Sequence, residues 1–238
     1  MRMQAPGELQ ILNLWERGLE RHPIDRALLL CAWARPDLPP AKLPDLPLGV
    51  LNRALLRLRE AYFGPGIGAY ADCEHCGERM EVNLDTRQLL AEGKEQDYAA
   101  EFEISNYRFR TPCSRDLAAI AMEQDVEKAA LKLLQQCCVS HPDHTGLGFA
   151  GLLAEAETVM ELLDPEANIN IALSCEDCGG SWLADFNIGA LLWDEIDRRA
   201  RSMLAQVHSL ASAYGWTEPE ILALSPQRRA YYLDMVGI

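Results

Sequence analysis

Residues 73–90 read CEHCGERMEVNLDTRQLL, and residues 175–192 read CEDCGGSWLADFNIGALL. Both stretches open with Cys-Glu-x-Cys-Gly, pass through a strand-like run and end on a pair of leucines, 102 positions apart in the chain. A glycine directly after the second cysteine, Gly77 or Gly179, suits the tight backbone of a metal-binding knuckle, with amides turned toward sulfur. Two thiolates cannot complete the shell of an ion that takes four ligands in a tetrahedron, whereas two knuckles can. The repeat therefore predicts one structural Zn2+ held by Cys73, Cys76, Cys175 and Cys178, and a fold that brings the two halves of the chain together. Two separate metals, or none, are the competing readings. A redox Cys-x-x-Cys of the thioredoxin type opens a helix, where the dipole lowers the thiol pKa; both motifs here lead into strands. His75 in the first knuckle is matched by Asp177 in the second, so the metal does not require it.

The rest of the chain reads as helices around these hairpins. Residues 1–63 form an N-terminal helical segment, with Leu9, Leu12, Leu14 and Leu19 near one stripe of the first helix. Five prolines in the fifteen residues from Arg35 to Gly49 mark a linker. Residues 64–112 carry the first knuckle hairpin, a helical turn and a strand pair turning at Ser105–Asn106. Residues 113–166 form central helices, the first reading as one long helix from Ser114 through Cys138, with Ser114 as N-cap. Residues 167–238 hold the second hairpin and the C-terminal helices. In the longest of these, Leu192, Ile196, Met203, Val207 and Leu210 share a face. Asp194–Arg198, Glu195–Arg199 and Asp197–Arg201 are i,i+4 pairs on it, and Gly215 ends it. Thr217 with Glu220, and Ser225 before Pro226, announce two closing helices. The predicted class is mainly α with a small antiparallel β part, folded as one unit stapled by zinc through two pseudo-symmetric hairpins.

Composition narrows the function. The 238 residues carry a formal net charge of −14, which repels phosphate backbones and favours a basic protein partner. No apolar run reaches the ~20 residues of a membrane span. The opening MRMQAPGELQILNLWERGLERH has no signal-peptide core, and a cytoplasmic protein is expected. Of eight cysteines, Cys31, Cys113, Cys137 and Cys138 fall in or beside apolar segments and read as buried free thiols. Gly146–Gly151, GLGFAG, matches the dinucleotide fingerprint by letter but lacks the apolar strand that must precede it, and reads as a loop leading into a helix. His141 and His144 have no cysteine nearby and read as solvated. A four-thiolate zinc leaves no position for water or substrate, so nothing in the sequence argues for an enzyme.

The stretches PCSRDLAAIA, LLQQCC, DPEANINIALSCEDCGGSW, FNIGALLWDEI and SLASAYGWTEPEILALSPQRRAYYLDMV make the chain resemble the baseplate hub assembly chaperones of T-even-like phages, with relatives in bacterial gene clusters for contractile injection systems. The resemblance covers nearly the whole chain and is strongest from about Thr111 to Val236. It implies a non-enzymatic role in building a contractile-tail baseplate, with hub or other tail proteins as partners. A permanent baseplate component is the close alternative, and a zinc-ribbon nucleic-acid-binding regulator is the alternative of another class. The zinc is read from the knuckles and not from the resemblance. Trp216, Ile221, Leu222, Tyr231 and Tyr232 concentrate aromatic and aliphatic groups in the two closing helices and are the expected recognition anchors, unless they pack on the long helix.

Overall fold

The computed structural model describes residues 7–90, 99–140 and 148–237. Helices α1 (Glu8–Gly18), α2 (Pro23–Ala34) and α3 (Leu48–Phe63) come first. The proline-rich linker is packed: Pro40–Asp45 wind into a 3-10 helix that buries Leu43, and Leu46 is buried just beyond. Strands β1 (Gly66–Asp72) and β2 (Arg79–Asp85) form the first hairpin, which a single turn, α4 (Thr86–Leu89), follows. Next come β3 (Glu101–Ile104), β4 (Tyr107–Arg110), α5 (Ser114–Ile120), α6 (Val126–Cys137) and β5 (Cys138–Ser140), then α7 (Leu153–Leu163). The second hairpin, β6 (Asn170–Ser174) and β7 (Ser181–Asp185), feeds α8 (Ile188–Tyr214); α9 (Glu218–Leu222) and α10 (Pro226–Met235) close the chain. The protein is mainly helical with small antiparallel sheets, as its sequence implies. No helix among the described residues is long and apolar enough to cross a membrane.

The main core joins the two ends of the chain. One face of α8 buries Ile188, Leu192, Ile196, Ala200 and Met203 against Leu30 and Cys31 of α2, Leu51, Leu55 and Leu58 of α3, and Ile11 and Leu14 of α1. The expected stripe of α1 is half right: Leu12 and Leu14 are buried in this core. Leu9 and Leu19 are exposed, and Ile11, Leu14 and Gly18 face α8 instead, where Trp193 lies so close to Gly18 that no Cβ fits. Charged side chains tie the same elements. Arg59 donates to Glu195 at 2.9 Å and to the Gly64 carbonyl at 2.6 Å; Arg199 reaches Glu8 at 3.1 Å, and buried Arg229 of α10 meets the same carboxylate. These tertiary partners replace one of the expected i,i+4 pairs, Glu195–Arg199. Asp197–Arg201 forms at 2.8 Å, while Arg198 turns to the backbone carbonyl of Asp194.

A second core lies under β3–β4–β5, where Tyr107, Phe109 and Phe149 pack with Leu134, Leu152 and Ala156. Ser105 and Asn106 take φ of +50° and +68°, the left-handed pair that the tight hairpin turn demands. The long helix expected from Ser114 is two helices. Asp125 accepts the Lys128 amide and starts α6 afresh, and Cys113 rather than Ser114 is the N-cap of α5, with its amide bonded to Asp116 at 2.8 Å. Cys138–Ser140 leave the helix to pair with β4. A strand therefore does precede GLGFAG, but it is a three-residue antiparallel strand, and Phe149–Gly151 form a 3-10 turn over the second core. His141, His144 and Gly146 lie outside the described residues.

Candidate metal centre

The thiols are positioned by two turns built alike. In the first, the Cys73 amide donates to the Glu78 carbonyl at 2.8 Å and the Gly77 amide to the Cys73 carbonyl at 2.8 Å. In the second, Cys175 donates to Gly180 at 2.8 Å and Gly179 to Cys175 at 2.9 Å. Gly77 and Gly179 take φ of +77° and +71°, a backbone that costs an L side chain ~1–2 kcal/mol, so the shared glycine is a conformational requirement. Each hairpin ends in a side-chain cap on the helix that follows. Asp85 accepts the Arg87 amide, and Asn187 accepts the Ala190 amide.

The four sulfurs converge. All lie within 4.8 Å of one another, and Cys73–Cys178 and Cys76–Cys175 are each separated by 3.7 Å. Exchanging the two knuckles maps one of these pairs onto the other. Four sulfurs ~2.3 Å from a shared ion sit ~3.8 Å apart in a tetrahedron, so the two close pairs have the spacing that one ion needs. The first cysteine of each knuckle is buried and the second exposed. Amides address sulfur as well: His75 to Cys73 and Gly180 to Cys178, each at 3.4 Å.

Three of the thiols are shifted from their ordinary values. Burial raises Cys73, but the amides of Cys76 and His75 and the thiols of Cys76 and Cys178 outweigh it and bring it down to about 6. At Cys76 the Glu78 amide favours the thiolate, yet burial and the three neighbouring sulfurs drive it up to about 12. Cys178 is also raised, burial and Cys73 overcoming the Gly180 amide. One thiolate is welcome here and further ones are not, unless a cation offsets their charge. A cation placed among the sulfurs would supply that charge. The donor set fits one metal ion.

Other thiols stay apart from this cluster. Cys31, Cys113 and Cys137 are buried and Cys138 is half-buried, with burial pushing Cys137 up to about 12. A feature the repeat did not announce is the seat of His75. Its ring lies against Gly180, where a Cβ would overlap it, and meets the edge of Trp182 at 6.4 Å. The doubled glycine of CGG was the available signal. The five expected anchors divide. Ile221 is fully buried and Leu222 packs on the main core, so both hold α9 down. Trp216 and Tyr232 are half-buried, clustering with Tyr214 at 4.6 Å and 5.7 Å between ring centroids, and Tyr231 is 71% exposed. Compared with family models, curated proteins and solved structures, the chain matches none.

Proposed function

We propose that this chain is a non-enzymatic assembly factor for the baseplate or hub of a phage-like contractile tail or injection system, with one structural Zn2+ in the four-cysteine site and the two hairpins related by an approximate two-fold axis. The observation that carries the structural half is the convergence of four sulfurs from hairpins 102 positions apart. Zinc rather than a harder cation is favoured by an all-sulfur donor set, and four thiolates leave it no open position for chemistry. The tail-assembly half is supported by the sequence resemblance from about Thr111 to Val236. A net charge of −14 favours basic surfaces on the hub or tail proteins it would hold.

The test is to purify particles from producing cells with and without the gene. The expected result is that complete tails are lost in its absence, while complete tails from intact cells lack the chain. Chain retained in finished particles at fixed stoichiometry would make it a permanent component. Normal particles formed without it would contradict both roles.

A further inference from the structure

Between the two hairpins runs an open cleft of about 520 Å³, lined by Glu78–Asn83 on one side and Leu173–Asp177 on the other. Five consecutive residues of β2, Arg79–Asn83, face it, so β2 presents its edge rather than one of its faces, and the end of β6 at Leu173 and Ser174 borders it opposite. The ladder shows what those edges offer. Cys73 bonds to Glu78 and Cys175 to Gly180, and the register then runs without a shift. In an antiparallel pair, hydrogen-bonded and non-bonded positions alternate. The bonded positions are thus Met80, Val82 and Leu84 of β2, and Ile171 and Leu173 of β6. The amides and carbonyls of Arg79, Glu81 and Asn83, and of Ala172 and Ser174, point away from their own hairpin. β2 pairs only with β1 and β6 only with β7 among the described residues. Two unfilled strand edges therefore border one cleft, and the four-cysteine cluster lies where their ends meet.

We propose that this cleft receives an extended, basic segment of a partner protein, which adds as a strand to the open edge of β2 or β6. The inference rests on the assembly reading above and names the surface that such a factor would use. Outward groups recur every second residue, about 6.8 Å apart, which is the repeat of an extended chain. The charge of the lining selects the sequence. Glu78, Glu81, Glu176 and Asp177 oppose a single basic residue, Arg79. Met80, Val82 and Leu173 are half-buried beside them and suit apolar residues at alternate positions of the guest.

The probe is a capped eight-residue peptide alternating lysine and valine, titrated into the full metal-loaded chain and followed by amide hydrogen exchange. Binding is expected to slow exchange at Arg79, Glu81 and Asn83, or at Ala172 and Ser174. Full N-methylation of the peptide backbone should weaken binding roughly tenfold or more, since it removes every donor the edge can accept. Glu81→Lys should weaken it by charge on either edge, and Ala172→Pro should weaken it as well where the protected amides are those of β6, with metal content unchanged in both. The proposal is overturned if millimolar peptide does not bind, if it binds without protecting these amides, or if the N-methylated form binds as well. It is also overturned if the chain protects the same amides by pairing with a second copy of itself when no peptide is present. Failure of the peptide while particles still require the chain removes the cleft and leaves the assembly reading standing. Peptide seated in the cleft of a chain that proves dispensable for particles supports the cleft and removes that reading.

Discussion

The two hairpins begin alike and end differently. Each has the same two turn hydrogen bonds, the same left-handed glycine, an Asp or Asn cap on the next helix and a closing Leu-Leu pair. After the first, the helix lasts four residues, and Leu89 and Leu90 are only half-buried. After the second, α8 runs for 27 residues and Leu192 is 1% exposed at the centre of the main core. The two copies share only the few residues that shape the turns and aim the thiols. Beyond them, what each copy packs against decides its fate. Among the described residues, the first hairpin reaches the main core only through half-buried Leu89 and Leu90, the second is rooted in it through Leu192, and the four sulfurs bring the two hairpin tips together.

Removing the metal is the strongest way to break this comparison. Cys73→Ser, or a chelator, should abolish stoichiometric metal binding and cost several kcal/mol of apparent stability, given the ~10–16 kcal/mol that structural zinc supplies in small peptides. The loss should be lopsided, with amide exchange accelerating in β1–β2 well before α8. Equal acceleration in both would mean that the first hairpin is held by packing instead. Next in size is the matched leucine. Leu192→Ala should cost ~2–5 kcal/mol in chemical denaturation, as buried leucines do, and Leu90→Ala clearly less. Similar costs would erase the distinction between rooted and peripheral copies. The caps give a smaller effect: Asn187→Ala should cost ~1 kcal/mol by removing the acceptor of the Ala190 amide. The smallest effect is in pH. Arg87, through its guanidinium and then its amide, holds Asp85 at about 2. Its folded value lies below the unfolded one, so its contribution is complete above ~3.9 and disappears as pH falls through about 2. The Asp85 carboxyl should titrate near 2 by NMR, whereas Asn187 cannot titrate; a midpoint near 4 would show that the Arg87 contact does not persist in solution.

Much of this was legible in the chain. The knuckles, the Ser105–Asn106 turn, the Thr217–Glu220 box and the buried face of α8 follow from local chemistry: a glycine that must be left-handed, a side chain that satisfies an amide, a period of 3.6 residues. Most of what was missed depends on distant partners. Leu9 and Leu19 have the right spacing, but α8 approaches α1 on the side of Ile11, Leu14 and Gly18. Glu195 and Arg199 sit at ideal separation, yet Arg59 and Glu8 offer each a partner from another helix. Asp125 interrupts an otherwise continuous helical pattern because it can cap the next turn, and Cys138 becomes a strand because β4 has an edge to fill. At the candidate site the four cysteines were readable, while the contact of His75 with Gly180 and Trp182 exists only once the knuckles meet and left the doubled glycine as its sole local trace.

X-ray absorption on the freshly purified chain, combined with elemental analysis, decides whether the two hairpins are joined by a metal. The expected result is one zinc per chain with four sulfur neighbours at ~2.3 Å and no nitrogen or oxygen in the first shell. Protein that folds with no bound metal, or an ion that sees only two sulfurs, would show that the knuckles do not share a site.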